Sequence, residues 1–185
     1  MAKVAIVYHS GFGHTKVLAE AVAKGAASVA GTVVDLVPVA EAEAKQATLD
    51  AADAIIFGSP TYMGTVSGPF KVWADSTAKT WFGQGWKDKL ASGFTNSNSP
   101  SGDKFNTLQT LSTLAMQHSM IWVSLGLLPQ TQKDGLVLNR LGSFAGAMST
   151  AVNEAPGPTN PSVDDQTTGE HLGRRVAELA KKLKG

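Results

Sequence analysis

The sequence contains no cysteine, which removes disulfides, thiolate nucleophiles, iron–sulfur clusters and zinc ribbons together. Any redox chemistry must therefore come from a bound cofactor. Charge is scarce as well: Asp, Glu, Lys and Arg make up 17% of the 185 residues, and 16 basic residues against 15 acidic ones leave a net charge of +1. So neutral a chain exerts no strong pull on nucleic acid or an anionic membrane, and neither is expected as a partner. Long hydrophobic runs are missing too. The apolar segment from Val4 stops at Tyr8-His9-Ser10, far short of the roughly 20 residues of a membrane span and too early for a secretory leader. The expectation is a soluble, cytoplasmic protein. The 4 histidines lack metal-ligand spacing, so no metal site is expected.

What is present is enough apolar material, 43% of residues, to build a core for one domain over residues 1–185. Val4 to Tyr8 is a continuous β-branched run of the kind buried on both faces in a parallel sheet. Val17, Leu18, Ala21, Val22, Gly25 and Ala26 then recur at helical spacing. The alternation continues with strands at Thr32–Val37, Ala54–Gly58, Leu90–Thr95 and Met120–Leu125. Helical stretches are expected at Ala40–Gln46, Phe70–Ala78 and Asp103–His118, and a C-terminal helix is striped by Leu172, Val176, Leu179 and Leu183. Strands alternating with helices predict an α/β fold: a doubly wound five-stranded parallel sheet in three layers. Residues 126–163 show no clear period, although Leu141–Met148 is apolar and the proline cluster Ala155–Pro161 reads as a stiff surface turn.

Ser10-Gly11-Phe12-Gly13-His14-Thr15 stands where the first strand hands over to the first helix. Backbone N–H groups and the helix dipole favour an anion there, glycines allow close approach, and Ser10 and Thr15 add hydroxyl donors. A Walker loop would require lysine where His14 stands, and a dinucleotide fingerprint would require glycine where Lys16 stands. What is left suits a single terminal phosphate. The loop Gly58–Gly68 follows the third strand, and in an open parallel sheet ligands bind outside the strand C-termini where strand order reverses. Pro60, Thr61, Tyr62, Met63 and Gly64 are candidates to offer backbone donors and an apolar wall to a flat heteroaromatic ring. Thr95, Asn96, Ser97, Asn98 and Gly102 lie after the fourth strand at the same edge. Trp81, Phe82 and Trp86 sit in a glycine-broken segment suited to a ligand site or an interface. His118, at the end of a helix, is a candidate catalytic and substrate-side residue.

These motifs resemble the NAD(P)H:quinone oxidoreductases of the tryptophan-repressor-binding-protein type, within the flavodoxin-like flavoproteins. The resemblance rests on Ser10–Thr15, on Gly58-Ser59-Pro60-Thr61 with Gly64 and Ser67-Gly68, and on Trp81, Gly102 and His118, and it spans nearly the whole chain. It implies flavodoxin-like strand order 2-1-3-4-5 and a tightly held FMN. It further implies ping-pong hydride transfer from NADH or NADPH to a quinone, and a homotetramer in which Trp81 closes the site. Two departures stand out. Tyr62-Met63 replaces the family's Arg-Phe, removing a cation near the flavin, and Asn96-Ser97-Asn98 replaces a glycine-rich run. An FMN reductase and a flavodoxin-type electron carrier are the alternatives. No acid lies in residues 59–71 or 91–102, which favours easy two-electron reduction over the carrier.

Overall fold

Alternation along the first strand sets the two faces of the molecule. In β1 (Ala2–Tyr8), Val4, Ile6 and Tyr8 belong to one core cluster, whereas Ala5 and Val7 belong to the other. This period of two follows from strand geometry. The computed structural model describes residues 1–185. After β1 come α1 (His14–Ala27), β2 (Thr32–Pro38), α2 (Val39–Ala42), α3 (Gln46–Asp50) and β3 (Ala54–Tyr62). Then follow β4 (Thr65–Val66), α4 (Gly68–Ser76), α5 (Ala78–Phe82), β5 (Leu90–Ser97), α6 (Lys104–Gln117) and β6 (Ile121–Trp122). The chain finishes with β7 (Thr131–Lys133), β8 (Leu136–Leu138), β9 (Ala147–Thr150) and α7 (Val163–Lys184).

The sheet runs β2-β1-β3-β5-β6, all parallel. Setting aside the short antiparallel β4, this is the expected order. Leu18, Val22, Leu172 and Val176 of α1 and α7 cover one face; Leu49, Phe70, Trp73, Leu108 and Leu111 cover the other. The result is a three-layer flavodoxin-like sandwich.

The last strand departs from the sequence reading. Met120–Leu125 does not form one strand: β6 pairs only with Leu90 and Ala91, and β9 takes over the same edge opposite Phe94–Ser97. Between them the chain leaves at Gly126 (φ 68°), forms the β7–β8 hairpin and returns. Gly146 allows the return, since a Cβ there would lie 2.1 Å from the Gly93 carbonyl oxygen. The edge strand is thus one strand split by an excursion, and its second half carries no long apolar run. The expected helix at Ala40–Gln46 is likewise two short pieces, α2 and α3.

Helices α1 and α7 approach until backbone meets backbone. A Cβ on Gly173 would lie 1.9 Å from Val22 O, and one on Gly25 1.9 Å from Glu170 O. Gly173→Ala should therefore overpack this seam and cost about 2–3 kcal/mol, lowering Tm by about 5–10 °C in a thermal melt. Gly157→Ala, whose Cβ would meet open space, should leave Tm unchanged.

Candidate functional site

Three loops expected from the sequence converge at the C-terminal edge of the sheet, and a fourth joins them. A cleft of about 430 Å³ is lined by Ser10, Phe12, His14 and Thr15, by Pro60–Tyr62, by Asn96–Asn98, and by Ala151–Glu154. It lies between β1 and β3, with β5 alongside, which is where strand order reverses.

The first loop is held open by one hydroxyl. Ser10 Oγ accepts from the N–H of Gly13 (3.1 Å) and of Lys16 (3.1 Å), which leaves its own proton free to donate. Gly13, at φ 94°, starts α1. The first N–H groups of a helix have no intrahelical partner. Those of Gly13 and Lys16 are taken by Ser10, and those of His14 and Thr15 make no bond within the chain. The buried Thr15 hydroxyl makes none either. No cation reaches in from the loop itself, so the donor set is three to four neutral groups at a helix N-terminus, which fits a phosphate monoester.

The second loop turns sharply. Met63 (φ 48°) and Gly64 (φ 85°) form the two-residue turn joining β3 to β4, the positive-φ pair such hairpins require. Met63 is fully exposed at the tip and, like Gly64, does not line the cleft. Tyr62 does, leaning back over the phosphate loop: its ring meets Phe12 edge-on at 6.2 Å, and a Cβ on Gly11 would lie 2.6 Å from its hydroxyl. Burial pushes the Tyr62 hydroxyl above its ordinary pKa, with the Gly11 backbone pulling it partly back. Thr61 Oγ1 lies 2.8 Å from both Thr95 Oγ1 and Thr107 Oγ1, so Thr61 and Thr95 tie the loop inward to α6. Ser67 immediately precedes α4, but its hydroxyl meets His9 Nδ1 (2.8 Å) rather than capping the helix.

The third loop is fixed from beneath. Asn96 Oδ1 accepts from Ser149 Oγ (2.7 Å), locking β5 to β9. Gly102 (φ 54°) lies directly behind Ser97, since a Cβ there would come within 2.2 Å of Ser97 Oγ; it supports the cleft without lining it. Lys104, only 1% exposed, donates to Ser97 Oγ (2.8 Å), Ser99 O (2.8 Å) and Pro100 O (2.9 Å). Burial lowers its pKa to about 8, against the attraction of Asp165.

The fourth loop was not read from the sequence. His14 Nε2 lies 2.9 Å from Glu154 O and 3.2 Å from Asn160 Nδ2. Asn160 in turn donates to Glu154 O (3.0 Å) and accepts from Val152 N–H (3.1 Å). The proline cluster is therefore not a free surface turn. Pro156 sits against Gly13, where a Cβ would lie 2.6 Å from Pro156 Cγ. Glu154 also brings to the cleft an acid that residues 59–71 and 91–102 lack.

His118 and Trp81 are not brought to this cleft within the chain. Each crossover helix runs back toward the strand N-termini, so His118, following α6, lies beside the start of β5, where Ser119 O accepts from Asp88 N–H. It is 3% exposed and its ring packs on Trp86 at 4.5 Å. Thr77 Oγ1 donates to Ala74 O (2.7 Å), so His118 Nε2 donates to Thr77 (2.9 Å). Burial lowers its pKa. Trp86 is wholly buried and donates to Asp50 Oδ1 (2.8 Å), so it is core. Trp81 and Phe82, on α5, remain 48% and 84% exposed.

An open, mostly neutral cleft with a cation-free anion loop at the reversal point of a five-stranded parallel sheet defines a flavodoxin-like nucleotide-binding protein. Residues 3–129 match the model of the NADPH-dependent FMN reductase family, and the chain belongs to that family. It is similar to "Flavodoxin FldP" of Pseudomonas aeruginosa, at 41% identity over 99% of both chains. It is also similar to an "NAD(P)H dehydrogenase (quinone)" of Archaeoglobus fulgidus, at 35% identity over 99% of this chain and 100% of that one. Among solved structures, a flavodoxin described as WrbA-like from Agrobacterium tumefaciens superposes with a TM-score of 0.77, at 44% identity over 98% of this chain and 99% of the other.

The buried lysine yields a pH prediction. Its pKa is about 8 in the fold against 10.5 as the ordinary value, so the unfolded chain holds that proton over a range where the native chain has released it. Stability then rises with pH between those two values. In urea denaturation, the wild type should gain on the order of 2 kcal/mol relative to Lys104→Met between pH 8 and pH 10.

Proposed function

We propose that this protein is an FMN-dependent NAD(P)H:quinone oxidoreductase. The observation that carries the reading is the Ser10–Thr15 loop, whose free N–H and hydroxyl donors suit the terminal phosphate of FMN, with a slot beside it for a flat ring. Bound there, FMN would accept a hydride from NADH or NADPH and pass it to a quinone. The chain's own task is to bind, orient and shield. Ser10, His14 and Thr15 hold the phosphate, with Gly11, Phe12 and Gly13 giving the loop its shape. Pro60–Tyr62 and Asn96–Asn98 define the ring slot, while the Met63-Gly64 turn sets the height of its wall. Phe12, Tyr62 and Val152 leave an apolar rim on the open side, where nicotinamide and quinone would stack in turn.

A second reading, a one-electron carrier, is favoured by the name of the Pseudomonas relative. The near-neutral charge argues against it, because a carrier docks on basic partners through an acidic surface. Anaerobic addition of NADPH to the FMN-loaded protein, then of a quinone, should bleach the flavin absorbance and restore it. No bleaching by either nicotinamide, with reduction by dithionite in two separate one-electron stages, would favour the carrier. An FMN reductase would bleach but release the reduced flavin on gel filtration.

Hydrogen bonds to a charged group contribute about 1.5–3 kcal/mol. Thr15→Ala should thus weaken FMN about 10- to 100-fold in a fluorescence titration, with riboflavin affinity unchanged.

The homotetramer belongs to the same proposal. Trp81, Phe82 and the 61%-exposed Met116 are apolar side chains left uncovered. Trp81 would approach a cleft only across an interface, while His118 stays buried against Trp86 and Thr77. A second copy of the chain is the cover proposed here. Light scattering should give a tetramer, and Phe82→Glu should reduce the assembly. A monomer with full quinone activity would remove Trp81 from the site.

A further inference from the structure

Lys104 is a full positive charge enclosed by the fold on the far side of the ring loop. Its ammonium group lies 2.8 Å from Ser97 Oγ, and Ser97 itself lines the cleft. It also meets Ser99 O and Pro100 O, with Thr150 Oγ1 at 3.4 Å. A lysine buried this deeply is costly, and a neutral side chain with an N–H donor would close the same loop at less expense. What the ammonium adds is charge. Two charged groups face it from the packed elements. Asp165, at the start of α7 and 1% exposed, accepts from Thr150 N–H (3.0 Å). Arg140, from the excursion before β9, pairs with Asp165 at 2.6 Å. The carboxylate is therefore shared with a second cation, and the Lys104–Arg140–Asp165 group is net positive. The cleft-facing side of the loop carries no acid between residues 91 and 102.

We propose that Lys104 is a positioning residue that fixes the Ser97–Pro100 loop and biases the cleft toward negative charge, so that a reduced, anionic flavin ring is held more tightly than the oxidised one. This rests on the FMN reading above. One fixed charge behind a single layer of chain, at an intermediate effective dielectric, is worth about a tenfold preference. For a two-electron couple, tenfold corresponds to about 30 mV. The position invites this role because Tyr62-Met63 supplies no cation at the front of the cleft.

The test is the two-electron midpoint potential of FMN bound to wild type, Lys104→Met and Asp165→Asn, measured at pH 7 beside the FMN dissociation constant. Lys104→Met should lower the potential by about 30 mV. Asp165→Asn keeps the lysine, removes its counter-charge and should shift the potential upward. A loop that Lys104 merely shapes would lose FMN affinity in Lys104→Met with both redox states weakened equally and no upward shift in Asp165→Asn. That pattern, or unchanged potentials in both variants, overturns the proposal while leaving FMN binding intact. If Lys104→Met fails to fold, the sign of the Asp165→Asn shift decides. Absence of FMN binding by the wild type overturns the functional reading and this proposal together.

Discussion

The unpaired N–H groups at the start of α1 are the constraint around which the rest is arranged. A helix always leaves its first donors without intrahelical partners, and buried donors left that way destabilise a fold. Here Ser10 Oγ takes two of them and, in doing so, bends the preceding backbone round, while the N–H groups of His14 and Thr15 make no bond within the chain. Everything nearby accommodates that bend. Gly13 adopts a left-handed φ, Gly11 makes room for the Tyr62 hydroxyl, and Pro156 closes over Gly13. In the proposed reading these free donors take an anion, in a loop shaped by the chain alone.

Around this anchor the sheet works as a ruler. Parallel pairing in register, Tyr8 opposite Gly58 and Gly58 opposite Phe94, brings the ends of β1, β3 and β5 to one height. Loops that are far apart in sequence therefore become walls of one cleft. A Cβ on Gly58 would lie 2.1 Å from the Phe94 ring, so the central strand has to be bare where its neighbour's aromatic side chain lies over it. Buried polar ties then remove slack from each wall: the Thr61, Thr95 and Thr107 hydroxyls, Asn96 with Ser149, and Lys104 beneath Ser97.

What the sequence disclosed and what it withheld divide along physical lines. The parallel sheet and the first three walls were legible because each wall follows a strand whose apolar run is unmistakable, and ligand loops in such folds lie at strand C-termini; the strand order came with the family resemblance. The fourth wall, Ala151–Glu154, was hidden because β9 is a four-residue half-strand that acquires its partner only through the excursion from Gly126. His118 was misplaced for a geometric reason: a helix that leaves the ligand edge ends at the opposite one, so proximity in sequence to the next strand argued for the wrong side. Trp86 was grouped with Trp81 and Phe82, yet its indole finds Asp50 and the core. Lys104 has no signal in the sequence; only the tertiary fold, bringing three oxygen acceptors over it, sets it apart.

The central claim is that the cleft recognises a phosphate together with a flat ring, and that the phosphate dominates. Fluorescence-quenching titrations of FMN and of riboflavin against the flavin-free protein test this directly, because the two ligands share the ring and differ in the phosphate. The account predicts FMN bound at least about a hundredfold more tightly, the equivalent of two charge-assisted hydrogen bonds. Equal affinities for the two would contradict it.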